Sequence, residues 1–225
     1  IFHMPGAPLS IENVDLSEPE FGEVRVNLVS AGVCHSDYHY MTGHIKISNT
    51  PLVMGHEGAG IVDKVGPGVT RFVQGDKVIF SMDRMCGYCR NCSAGLPTLC
   101  ETYGRSFAMP DGSTRFGRAG VPYYHAVGTF SEQSVVPADQ LVKVRKDTPL
   151  EKACLIGCAV ITGIGSVVNR AKVHSGSTVA VFGCGGVGLN VVQGAVLAGS
   201  SMIIAVDNVP FKLDKAEEMG ATKLV

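Results

Sequence analysis

The feature that most restricts the fold of this chain is the run Gly183-Cys184-Gly185-Gly186-Val187-Gly188. An apolar stretch at 179–182 leads into it, a helical pattern at 188–198 leaves it, and a second apolar stretch follows at 202–206. A G-x-G-x-x-G turn between a strand and a helix lets the backbone approach a pyrophosphate closely, and the helix N-terminus then faces the negative charge. Asp207 ends the second strand, 19 residues past Gly188. An acidic residue there accepts hydrogen bonds from the hydroxyls of an adenosine ribose and repels a 2′-phosphate. Asn208 and Val209 add no positive charge to bind such a phosphate, so the pattern favours NAD over NADP. Gly183, Gly185, Gly186, Val187, Gly188 and Asp207 are the candidate nucleotide-binding residues.

Around this motif the chain alternates strands and helices, with a second helix at 211–219 and the start of a third strand at 223–225. That alternation predicts a parallel sheet with crossover helices. The pattern begins near Thr148-Pro149-Leu150-Glu151, which reads as a helix start with Thr148 as cap, proline at the first helical position and glutamate at the third. A doubly wound fold has six strands, so two strands and part of a third predict a sheet truncated at the C-terminus. The segment 179–206 is apolar enough to imitate a membrane span, but six glycines between Gly183 and Gly199 predict a strand, a turn and a buried helix instead.

Before residue 148 the pattern is β-rich. Val24, Val26 and Leu28 alternate with Arg25 and Asn27, the period of a half-buried strand. Further strands are predicted at 76–80 and 130–136, and a short helix at 36–41. A net charge of −1 and scattered basic residues give no electrostatic pull toward nucleic acid or an anionic membrane. There is no basic segment followed by an apolar core at the N-terminus, hence no signal peptide is read there.

Four of the eight cysteines form Cys86-x2-Cys89-x2-Cys92-x7-Cys100. Four thiolates in so short a span close a tetrahedral site with every position filled, which is the pattern of a structural zinc ion. Paired disulfides and an iron–sulfur cluster are the competing readings, and the spacing favours zinc. Thiols used as ligands place the chain in a reducing compartment, the cytoplasm. Cys154 and Cys184 sit in apolar settings and read as small core hydrophobes. Met4, Met54 and Met109 read as core filler.

A second constellation opens with Cys34-His35-Ser36-Asp37 and reaches His56 within Gly55-His56-Glu57-x2-Gly60-x5-Gly66-x2-Val69. This motif resembles, at every position, the zinc signature of the medium-chain alcohol dehydrogenases. Cys86 to Cys100 resembles that family's structural zinc lobe, and Leu155-Ile156-Gly157-Cys158 the segment bearing its last catalytic ligand. The resemblance covers nearly the whole chain. It implies an α/β protein: a GroES-like β-rich catalytic domain over residues 1–159, then part of a Rossmann domain over 160–225.

The resemblance further implies a catalytic zinc held by Cys34, His56 and Cys158, and hence two zinc ions per chain. Three protein ligands leave one position open for an alcohol oxygen, whose proton is then more easily lost. Hydride could pass to NAD, giving an aldehyde or ketone, or return in the reverse direction. By position, Ser36 and His39 correspond to the family's proton relay, Asp37 to the partner of the histidine ligand, and Glu57 to the acidic neighbour of the metal. His35 corresponds to a pyrophosphate contact, and Met82 to a substrate-pocket wall. Glutathione-dependent members carry an arginine four residues past the last lobe cysteine; here that residue is Gly104, with Arg105 beside it. The stretch 109–128, with Asp111-Gly112-Ser113-Thr114-Arg115-Phe116, resembles animal and plant alcohol dehydrogenases more than polyol enzymes. The expected partners are a small alcohol or aldehyde and, at full length, further copies in a homodimer or homotetramer. An inactive, zinc-stabilised binding module is the reading from a different class.

Overall fold

The computed structural model describes residues 1–103, 109 and 111–225, and divides into two compact units, Ile1–Gly157 and Cys158–Val225. The boundary expected from sequence lay near residue 159.

The first unit is built on two sheets. Strands β1 (Asp15–Leu16), β2 (Glu23–Gly32), β3 (Leu52–Val53), β4 (Glu57–Val65), β5 (Lys77–Phe80), β6 (Phe116–Arg118), β7 (Val121–His125), β8 (Gln133–Pro137) and β9 (Leu141–Lys143) are joined by short helices. Five of them form an antiparallel sheet in the order β8-β2-β4-β5-β9, and four form a smaller sheet in the order β1-β6-β7-β3. The period-two alternation predicted for β2 is realised: Val24 and Val26 are fully buried, and Asn27 points to solvent. They pack with Val62, Phe72, Val78, Phe80, Val127, Val136 and Leu141. Full burial of each such side chain contributes about 1.5–3 kcal/mol relative to exposure. Arg115 is buried against Glu23, whose two carboxylate oxygens accept at 2.8 and 2.7 Å, so an interior charge is paired rather than stranded.

Helices α1 (His35–Met41), α2 (Arg90–Ser93) and α3 (Leu150–Ala153) complete the unit. The start of α3 differs from expectation. Thr148 makes no cap, and Pro149, with ψ 104°, is the extended residue before the helix. Thr148 is committed to a turn instead: its N–H donates to the Arg145 carbonyl and its own carbonyl accepts from Lys77 Nζ. Strand β8 begins at Gln133 rather than Phe130, because the Ser131 hydroxyl lies 2.6 Å from both the Gly128 and the Gln133 carbonyl oxygens, shares its one proton between them and holds a turn there. Met54 and Met109 are 4% exposed, as core filler should be, but Met4 is 61% exposed and fills nothing. It stands at a turn closed by the Ala7 N–H on its carbonyl.

The second unit is a parallel three-stranded sheet, β10 (Thr178–Phe182), β11 (Met202–Val206) and β12 (Lys223–Leu224), in sequential order. Helix α4 (Ala159–Gly165) precedes it, continuing into a π-helical turn at Ser166–Ala171. Helices α5 (Gly186–Leu197) and α6 (Pro210–Glu218) are the crossovers. Val181, Cys184, Val192, Ala195, Ile203 and Ala205 form its core. The apolar segment 179–206 thus resolves into strand, turn, helix and strand. Among the described residues, no single helix is long and apolar enough to cross a membrane.

Candidate metal and nucleotide sites

Cys34 lies at the end of the extended chain leaving β2, as the residue capping α1. Its N–H donates to Asp37 Oδ2 at 3.0 Å. The other oxygen of Asp37, a residue only 3% exposed, lies 3.3 Å from His56 Nδ1. One buried carboxylate therefore fixes both the backbone at the cysteine and the tautomer of the imidazole. A hydrogen-bonded Nδ1–H leaves Nε2 as the ligand atom.

His56 precedes β4 directly, and Glu57 opens it; both are buried. Cys34, His56 and Glu57 each offer a ligand atom, all within 4.8 Å of one another. Room for the Glu57 carboxylate comes from Gly32 at the end of β2, since a Cβ there would collide with Glu57 Oε2 and press on Leu155. Sequence reasoning missed Gly32, whose only signal is a glycine two residues before a candidate ligand. Burial pushes the Cys34 thiol pKa up, but hydrogen bonds from Ser36 and the neighbouring His56 more than offset it, and the net shift is downward. Ser36 Oγ stands 3.6 Å from Cys34 Sγ. His39, on the next turn of α1, has a buried Nδ1 with no hydrogen-bond partner among the described residues, and its ring lies 4.7 Å from that of exposed His35. A small, largely apolar cleft opens beside His56, lined by Asp37, Tyr40, Leu52, Met54 and Met82 among others.

Cys86, Cys89, Cys92 and Cys100 form a separate cluster, their sulfurs within 4.8 Å of one another and none in a disulfide. Helix α2 begins inside it, with Cys89 Sγ accepting from the Cys92 N–H at 3.5 Å and Cys86 Sγ from the Cys89 N–H at 3.2 Å. Burial pushes the Cys86 and Cys92 thiols up. At Cys86, hydrogen bonds from Thr102, Tyr88 and Cys89 outweigh it and bring the pKa to about 6, whereas Cys92, crowded by three sulfurs, rises to about 11. Four sulfurs at this separation resist becoming four thiolates unless a cation joins them, so the donor set fits zinc. Arg84, also missed from sequence, steadies the approach to the cluster: its guanidinium binds both oxygens of Asp139 at 3.1 Å and stacks over Tyr103 at 3.9 Å. Gly104 and Arg105 lie outside the described residues.

In the second unit, Cys158 is the first residue and caps α4. The glycine run forms the predicted turn between β10 and α5. Gly183 has φ +87°, and a Cβ on Gly188 would collide with the Gly183 carbonyl, so both positions require glycine. Gly185 caps α5, Gly186 opens it and Val187 follows, so the first N–H groups of this helix face outward at the turn. Asp207 is held by the Cys184 N–H at 2.8 Å and the Val209 N–H at 3.0 Å; these bonds keep its carboxyl below the usual range and hence ionised. Lys212 reaches to 3.6 Å from it, a cation that inspection of Asn208 and Val209 alone did not reveal. The sequence signal was available, because Lys212 falls in the first turn of the helix that Pro210 opens.

Residues 20–146 match the model of the alcohol dehydrogenase GroES-like domain. The chain belongs to the medium-chain alcohol dehydrogenase family. Within this family it is 46% identical over 227 aligned positions to an S-(hydroxymethyl)glutathione dehydrogenase of Escherichia coli, with 98% of this chain and 61% of that relative aligned. It is 44% identical to the NDMA-dependent alcohol dehydrogenase of Amycolatopsis methanolica, over 99% of this chain and 61% of the relative. Among solved structures, an alcohol dehydrogenase zinc-binding domain protein from Burkholderia ambifaria superposes with TM-score 0.92 at 36% identity, covering 99% of this chain and 62% of the other. Benzyl alcohol dehydrogenase from Acinetobacter calcoaceticus superposes with TM-score 0.90 at 33% identity, covering 99% and 61%. The chain thus spans about three-fifths of the length of these dehydrogenases. The first unit is the family's GroES-like domain, and the parallel sheet of the second is part of a Rossmann fold.

Proposed function

We propose that the protein to which this chain belongs is a zinc-dependent, NAD-linked alcohol dehydrogenase that interconverts primary or secondary alcohols with aldehydes or ketones. The observation that carries the reading is the Asp37 bridge, which presets Cys34 and His56 as soft donors beside a cleft. Cys34, His56 and Cys158 would hold the catalytic zinc, and Glu57, whose carboxylate lies among the same donors, would tune it. Cys86, Cys89, Cys92 and Cys100 hold a second, structural zinc. Zinc with an open position supplies Lewis acidity toward a bound oxygen, and NAD supplies the hydride acceptor.

The chain's own residues do the rest. Ser36 hydrogen-bonds the alcohol, and His39, whose buried Nδ1 lacks a protein partner among the described residues, carries the proton onward. His35 and the α5 N-terminus bind pyrophosphate; Asp207 receives the ribose hydroxyls, and its pairing with Lys212 leaves that cation committed to the carboxylate. Tyr40, Leu52, Met54 and Met82 give the cleft an apolar wall suited to a hydrocarbon tail and exclude water from it. A reducing cytoplasmic setting suits seven ligand cysteines and histidines that must stay unoxidised, and assembly into homodimers or homotetramers is assigned to the full-length protein.

A second reading of the substrate is favoured by the Escherichia coli relative: the alcohol could be the glutathione adduct S-(hydroxymethyl)glutathione. Steady-state NAD reduction by the full-length protein separates the two. Higher kcat/KM with benzyl or aliphatic alcohols supports the apolar cleft, higher kcat/KM with S-(hydroxymethyl)glutathione supports the second reading, and no NAD reduction with either removes the dehydrogenase assignment. In the same assay His39→Gln is expected to lower kcat by about 10²-fold or more and to change its pH profile; unchanged kinetics would remove His39 from the relay.

A further inference from the structure

Three histidines stand in a row along α1 and the turn that follows it. His35 and His39 are four residues apart, so they project from one face of the helix. Their ring centroids are 4.7 Å apart with planes at 74°. His44, just past the helix, turns its ring to within 5.5 Å of His39. His35 and His44 are exposed.

Thr42 Oγ1, just past the helix end, lies 2.6 Å from His44 Nδ1 and 2.9 Å from the Tyr38 carbonyl oxygen, so one hydroxyl holds the His44 ring beside the last turn of α1.

We propose that His35, His39 and His44 form a site for a divalent transition-metal ion of borderline softness such as Zn²⁺, Ni²⁺ or Cu²⁺, separate from both cysteine-containing clusters. Two histidines at i and i+4 on one helical face supply two nitrogens to a single ion, and rotation of the exposed His44 side chain brings a third. Neutral imidazoles without carboxylates select such ions over Mg²⁺ and Ca²⁺. An ion held here occupies His39, so its binding slows turnover; that consequence rests on the dehydrogenase reading, whereas the binding does not.

The test is calorimetric titration of the zinc-loaded chain, stripped of loosely held metal, with Ni²⁺ at neutral pH. The expected result is one further ion per chain, bound about tenfold or more weakly by His35→Ala and by His44→Ala. His174→Ala, an exposed histidine remote in sequence, serves as control and is expected to bind as the parent does. Unchanged zinc content and circular dichroism in each variant show that the chain remains folded. With Cu²⁺, nitrogen hyperfine splitting from the bound imidazoles should shrink in His44→Ala. No additional Ni²⁺ bound by the parent chain, or parent-like affinity in both His35→Ala and His44→Ala, overturns the site. Loss of NAD reduction in the full-length protein would leave the site standing and remove only its inhibitory consequence.

Discussion

At the scale of single residues, the buried Asp37 joins local structure to chemistry, because its two oxygens serve the Cys34 backbone and the His56 ring at once. Asp37→Asn is expected to lower zinc affinity at the Cys34/His56 site by about 10–100-fold while leaving the four-cysteine cluster loaded, as read by competition with a chromophoric chelator. Equal affinity in the two proteins would show that the carboxylate orients nothing. His125 makes a different residue-scale prediction. It is 1% exposed, its Nε2 bonds the Val135 carbonyl at 3.1 Å, and burial pulls its pKa down to about 4. The unfolded chain binds this proton near pH 6.5 and the folded chain only near 4, so the contribution is fully present above 6.5 and is lost as pH falls toward 4. Its full size is roughly 3 kcal/mol. Denaturant titrations across this window should slope less in His125→Gln than in the parent, and identical slopes would remove His125 as the source. The grouping of Cys34 with His56 was legible in the sequence; Gly32 and Arg84 were not, because each acts through a contact with a residue distant in sequence, whereas the place of Lys212 in the first turn of α6 was readable and overlooked.

At the scale of elements, the glycine run works because β10, a turn and α5 leave no room for a side chain at the crossing. Gly188→Ala sets a Cβ against the Gly183 carbonyl, and is expected to destabilise the second unit by about 1–3 kcal/mol. NAD affinity should fall with it, measured by nucleotide titration beside urea unfolding; a variant that keeps both would show that the close approach is not required. The elements themselves were legible to within a few residues where one period dominates, as in β2, β11 and the α5 and α6 helices. Expectation failed where side-chain bonding competes with that period. Thr148 has the composition of a helix cap, yet the Arg145 turn and the Lys77 contact claim it first. Residues 130–132 have strand composition, yet the Ser131 hydroxyl holds a turn.

At the scale of the whole molecule, two units differ in architecture and in the groups they present: clustered thiols and an imidazole in a β-rich unit, and the N–H groups of a glycine-rich helix start in a parallel sheet. The division was visible in the change from period-two patterning to strand–helix alternation, since each pattern buries apolar faces in its own way. The size and lining of the cleft beside His56 were not visible, because Tyr40, Leu52 and Met82 reach it from separate segments. The central claim is that two clusters of soft donors bind metal independently. Zinc content per chain, by mass spectrometry on metal-replete protein and on variants at each cluster, tests it most directly. The account predicts about two ions in the parent, matching the two donor clusters, and about one in either Cys34→Ser with His56→Ala or Cys86→Ser with Cys89→Ser. A folded parent with no zinc, or a zinc content unmoved by the Cys34 and His56 changes, would contradict it.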